Sequence, residues 1–129
     1  MSYILLVEDN QQNADMVIHI LTTAGFEVTH FIRGLDGAKH ARQHRPDLIL
    51  MDFDLPDVDG RNLILALKKQ LGGVNAPPIV AVTARTGSVE MKLAQSFGCS
   101  AFIAKPFTPE RLLDVVGQLM PKAAAQLNP

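Results

Sequence analysis

The sequence predicts an α/β fold: a doubly wound parallel sheet of five strands with five helices on its two faces. Two patterns predict it. Apolar runs of four to six residues alternate with segments of helical period, as expected of a sheet buried on both sides. Four of those runs also stop on, or just before, an acidic residue, a threonine or a lysine. In an open α/β sheet the carboxyl edge is where ligands are held, so these endings matter. At 129 residues the chain fits one domain with room for a core, and right-handed crossovers wind the β-α repeats into one sheet.

The first strand spans residues 3–7 and runs into Glu8-Asp9. Residues 11–24 read as the first helix, with Ala14, Val17, Ile18 and Leu21 on one stripe and Gly25 placed to end it. Residues 27–31 alternate more than the other strands, which suggests a less buried edge. A weak helix over 35–44 follows, and Pro46 breaks the chain before the strand at 47–51, which runs into Asp52. Residues 59–71 form the third helix, then a loop holds Gly72, Gly73, Pro77 and Pro78. The strand at 79–82 runs into Thr83. The fourth helix, 88–97, has the poorest period, with Val89, Leu93 and Phe97 as its stripe. The last strand, 101–104, meets Lys105-Pro106. In the last helix Thr108 can cap, Pro109 takes the first position, and Leu112, Val115, Val116 and Leu119 form the stripe. One domain is therefore expected over 1–120, followed by a short Ala-rich tail at 121–129.

Composition narrows the function. A net charge of −1 supplies no basic field for nucleic acid or an anionic membrane, so neither is expected as a direct partner. Cys99 is the only cysteine, which rules out an internal disulfide and suits a reducing compartment; it reads as a small hydrophobe. No signal-like or membrane-length apolar run is present, and a cytoplasmic location is the expectation. His19, His30, His40 and His44 lack metal-ligand spacing, and the helix carrying His40 and His44 is expected to be exposed.

If the strands are parallel, Glu8, Asp9, Asp52, Thr83 and Lys105 collect at one edge. Two carboxylates 4 Å apart repel by about 4 kcal/mol at an effective dielectric near 20. A cation, or a retained proton, must offset that. All-oxygen ligation by a few carboxylates suits Mg²⁺. With Lys105 opposite, one carboxylate is equipped to accept a phosphoryl group, and Thr83 can bond a phosphoryl oxygen.

At these residues the chain resembles a response-regulator receiver domain of the CheY-like family, over roughly residues 3–119. The resemblance is carried by LLVEDN with Glu8-Asp9, DLILMDFDLPDVDG with Asp52, PIVAVTA with Thr83 and AFIAKPF with Lys105-Pro106, in that order. It implies strand order 2-1-3-4-5, flavodoxin/CheY-like. It implies Asp52 as phosphoacceptor, Mg²⁺ held by Asp9 and Asp52 side chains and the Asp54 backbone carbonyl, and Lys105 paired with the phosphoryl group, aimed by a cis peptide before Pro106. Glu8 takes the other acidic position, where Asp is commonest in the family, and its longer side chain is expected to reach the metal through water or in a shifted pose. Thr83 and Phe102 are implied as a coupled switch acting on the fourth helix, fifth strand and fifth helix; Phe102 stands where Tyr is frequent, so packing alone sets its position. Gln11, Gln12, Asn13 and Met16 are implied as the docking end for a histidine kinase or histidine phosphotransfer protein. Asp54 and Arg85 are implied to tune hydrolysis.

The leading expectation is a stand-alone receiver of a two-component phosphorelay, serving as a binding switch for a downstream protein or as a phosphate shuttle. It would be a phosphoacceptor rather than an enzyme, catalysing only its own phosphorylation and dephosphorylation. Two alternatives stay open: a receiver-like adaptor that needs no phosphorylation, and a phosphohydrolase built on the Asp52-Phe53-Asp54 DxD. Against the latter, that motif follows the third strand and no residues are spare for a cap domain. No glycine-rich loop follows the first strand, which disfavours a flavin or dinucleotide site.

Overall fold

The computed structural model describes residues 2–85 and 87–120; the expected tail at 121–129 lies outside them. The strands are β1 (Ile4–Val7), β2 (Val28–Phe31), β3 (Leu48–Met51), β4 (Ile79–Thr83) and β5 (Ala101–Ala104). The helices are α1 (Gln11–Thr23), α2 (Gly34–Gln43), α3 (Gly60–Gln70), α4 (Ser88–Ser96) and α5 (Pro109–Leu119), with a 3₁₀ turn at Gly73–Asn75. All strand pairs are parallel, in the order β2-β1-β3-β4-β5. Central β1, β3 and β4 are buried along their whole length, whereas β2 and β5 are only partly covered, as edges should be.

Alternation along each strand divides the core in two. Ile4, Leu6, Leu48, Leu50, Val80, Val82 and Ile103 pack against α1 and α5 through Ala14, Val17, Leu21, Leu112, Val115 and Val116. Leu5, Val7, Ile49, Met51, Ile79 and Ala81 face the opposite way, against Ala38, Ala41, Leu63, Ile64, Leu67 and Ala94. Burying a side chain such as Ile49 or Leu50 contributes about 1.5–3 kcal/mol. Cys99 packs at the margin of the second layer, and burial pushes its thiol up to about 11, so it behaves there as an apolar side chain.

Register aligns the carboxyl ends. Val7 lies opposite Phe31 and Met51, Met51 opposite Ala81, and Ala81 opposite Phe102. The residues that follow these positions therefore emerge together. Local caps start the helices: Asn10 accepts from Asn13 N–H at 2.9 Å, Asp59 from Arg61 N–H at 2.9 Å, and Thr108 from Arg111 N–H at 3.1 Å. Gly60 is required by close approach. A Cβ there would stand 2.2 Å from the Asp52 carbonyl oxygen and 2.7 Å from Phe53 Cα.

Two expectations are corrected. Val89 is 68% exposed and falls outside the inward face of α4, whereas Leu93 is half-buried and Phe97 packs against the second core layer. Ala94 is buried instead, and Glu90, one turn earlier on that face, lies 3.6 Å from Arg61 of α3. His40 is not exposed either: its ring packs 5.7 Å from Tyr3 and 5.2 Å from Phe31, because α2 lies against β1 and β2. His44 is exposed as expected.

Candidate functional site

Glu8 follows β1, Asp52 follows β3, Thr83 ends β4 and Lys105 follows β5, so four strands each deliver one polar side chain to a single edge. One carboxylate oxygen from each of Glu8, Asp9 and Asp52 lies within 4.8 Å of the others. Glu8 and Asp52 are buried and Asp9 is exposed, which leaves the cluster open on one side. Lys105 Nζ donates to Asp52 Oδ2 at 2.8 Å and also to Glu8 Oε1. The other Glu8 oxygen accepts from Asn10 N–H at 3.2 Å, and Asp52 Oδ1 accepts from Asp54 N–H at 3.1 Å. Behind this group His30 Nε2 lies 2.7 Å from the Glu8 carbonyl oxygen, a contact for which the sequence carries no signal.

Electrostatics follow from burial and pairing. Burial raises the Glu8 carboxyl above its ordinary value, and the hydrogen bonds from Lys105 and Asn10 offset that only in part. Burial also works against the Lys105 charge, but hydrogen bonds to Asp52 and Glu8 outweigh it and hold the ammonium above its usual range. Three oxygen ligands at this spacing, of carboxylate type and partly open to water, fit a hard divalent ion such as Mg²⁺.

The remaining residues flank this centre. Thr83 is fully buried, and its Oγ1 accepts from Arg85 N–H at 3.2 Å. The Arg85 guanidinium pairs with the Asp54 carboxylate at 2.7 Å, joining the loops after β3 and β4. Asp54 thus turns its backbone N–H to Asp52 and its carboxylate to Arg85. Phe102 is half-buried and meets Phe53 edge to face at a centroid distance of 6.1 Å. The Lys105–Pro106 bond is cis. Gln11, Gln12 and Met16 are exposed and Asn13 half-exposed at the start of α1, directly after the acidic pair.

Comparison with known proteins agrees with this geometry. A family model described as the response regulator receiver domain matches residues 4–117. The polar-differentiation response regulator DivK of Brucella anthropi is 34% identical over 113 residues, covering 88% of this chain and 91% of that protein. The chemotaxis protein CheY4 of Vibrio cholerae superposes with a TM-score of 0.85 at 28% identity, over 93% of this chain and 99% of that one. The receiver domain of the sensor histidine kinase PA1611 of Pseudomonas aeruginosa, solved with magnesium in its active-site cleft, gives a TM-score of 0.82 at 31% identity, over 92% and 96% of the two chains.

Proposed function

The chain belongs to the response regulator receiver domain family of two-component signalling, and from that premise we propose that Asp52 accepts a phosphoryl group from a phosphohistidine in a Mg²⁺-dependent reaction. The observation that carries this reading is the meeting of Lys105 with Asp52 at 2.8 Å beside Glu8 and Asp9. An Asp52 carboxylate oxygen attacks phosphorus, the bond from phosphorus to the histidine nitrogen breaks, and its electron pair leaves with the imidazole. The product is an aspartyl phosphate. Held by Asp9, Asp52, the Asp54 carbonyl and, directly or through water, Glu8, the metal would supply charge neutralisation for the crowded oxygens. The magnesium in the cleft of the PA1611 receiver supports that assignment.

Lys105 pairs with the new phosphoryl oxygens, and Thr83 Oγ1 turns from Arg85 N–H to donate to one of them. Phe102 then repacks in the space that Thr83 vacates. The surface this remodels is α4-β5-α5, where Met91, Phe102, Phe107 and Arg111 line an open groove of about 590 Å³. A protein target docks there, and the exposed start of α1 receives the kinase or phosphotransfer protein. Asp54 and Arg85 set how long the phosphoryl group lasts. On this reading the receiver serves as switch or phosphate shuttle; no described helix is long and apolar enough to cross a membrane.

Acetyl phosphate with Mg²⁺ should add one phosphoryl group to the wild type, seen by intact mass, and none to Asp52→Asn. Equal modification of both would remove the assignment. Repeated turnover of a small phosphate ester would favour a hydrolase instead.

A further inference from the structure

Phe53, next in sequence to Asp52, is buried and touches the Phe102 ring and the α3 residue Arg61. Phe102 meets it edge to face at a centroid distance of 6.1 Å, and the Arg61 guanidinium carbon stands over its ring at 6.0 Å. Arg61 Nε and Nη2 donate to the Asp59 carboxylate at 3.2 and 3.0 Å, while Nη1 lies 3.6 Å from Glu90 Oε2 of α4. That Glu90 oxygen is closed off from solvent and has no hydrogen-bond partner among the described residues. We infer that Phe53, Arg61 and Glu90 form a relay that passes a movement of the Phe102 ring through α3 to α4. This rests on the receiver reading above and makes Arg61 a positioning residue within it.

Each contact in this chain is short-ranged and directional. Aromatic pairs prefer edge-to-face packing within a narrow range of spacing, and a guanidinium over a ring is held by the ring's negative face. Packed side chains do not deform freely, so displacement of the Phe102 ring obliges Phe53 to repack and shifts the surface on which Arg61 rests. Asp59, bonded at Nε and Nη2, fixes the plane of the guanidinium and leaves Nη1 for Glu90. At 3.6 Å that last contact is just beyond hydrogen-bond reach, and a shift of about 0.6 Å would close it to an ordinary length. A sealed carboxylate oxygen gains a charge-assisted hydrogen bond or goes without one, so a small motion of Arg61 changes what holds α4 to α3. Little else resists: among the described residues of α4 only Ala94 is buried.

The test is NMR of the full chain with and without beryllofluoride, reading the Thr83 methyl, the Phe102 ring and the backbone amides of Leu93 and Ala94. In the wild type all of these signals should move. Arg61→Met keeps an apolar stem on Phe53 and removes the charge. In it Thr83 and Phe102 should respond as before, while the response of the two α4 amides falls to about half or less. Glu90→Gln should do the same, and the double variant should lose little more than either single one. A full α4 response in either variant, or reductions that simply multiply, would overturn the relay. So would loss of the Thr83 and Phe102 responses in Arg61→Met, which would show that Arg61 only supports the site. Glu90→Gln changes a single atom at the helix surface, so the question stays answerable if Arg61→Met folds poorly. A wild type in which no signal moves would remove the receiver reading and the relay together, whereas a responsive site with α4 indifferent to Arg61 removes the relay alone.

Discussion

Asp57 accepts from the backbone N–H groups of Gly34 and Leu35 at 2.8 and 2.9 Å, capping α2 from the loop after β3. Arg33, the residue at the helix start, offers no side-chain cap. Asp57→Ala should therefore lower stability by about 1 kcal/mol, measurable by urea denaturation. Burial alone would raise the Asp57 carboxyl, but these backbone hydrogen bonds outweigh it and hold it below its ordinary value of 3.8. Its contribution is thus complete above that value and is lost as pH falls through the depressed one. Melting temperatures at pH 3 and pH 6 should differ less in Asp57→Asn than in the wild type; an unchanged difference would contradict the cap. Caps at Thr108 and Asp59 precede their own helices and are visible to local reading of the chain, as Thr108 was. Asp57 lies 23 positions beyond Gly34 and reaches it only through the fold, which is why no motif marks it. Arg85 and Asp54, side chains 46% and 53% exposed, form a surface pair. Removing it with Arg85→Ala should leave stability in urea denaturation nearly unchanged, because solvent screens an exposed pair. The same change should shorten the life of an aspartyl phosphate, because the pair ties together the loops that flank Thr83 and Asp52.

Helix α3 begins in contact with the end of β3, and Gly60 makes that approach possible. Gly60→Ala would set its Cβ 2.2 Å from the Asp52 carbonyl oxygen, so α3 must retreat from the residue that carries the proposed chemistry. A loss of roughly 2 kcal/mol or more is expected in chemical denaturation, together with slower modification of Asp52. Full activity and stability in that variant would show the approach to be dispensable. Element type and order were legible because buried parallel strands read as continuous apolar runs and α1, α3 and α5 carry complete stripes. Helix α4 was less legible. Its face toward the body is set by Ala94 and by the approach of Glu90 to Arg61 at 3.6 Å, which a search for large apolar side chains does not find. His40 was misplaced for a related reason: the ring contacts that half-bury it come from Tyr3, just before β1, and from Phe31 of β2.

Across the whole molecule, parallel register turns four distant strand ends into one acidic cup with a lysine at its side. That convergence was legible because strand direction alone brings the ends together. The internal pairing was not: Lys105 bridging Glu8 and Asp52 depends on side-chain reach. A phosphoryl mimic such as beryllofluoride should alter hydrogen exchange in α4, β5 and α5 and strengthen binding of a protein target; affinity that stays the same would favour an adaptor independent of phosphorylation. The most direct measurement is phosphotransfer from a histidine kinase or phosphotransfer protein carrying labelled phosphohistidine. Label should pass to the wild-type chain in the presence of Mg²⁺ and fail to reach Asp52→Asn. Equal labelling of the two proteins would contradict Asp52 as the acceptor.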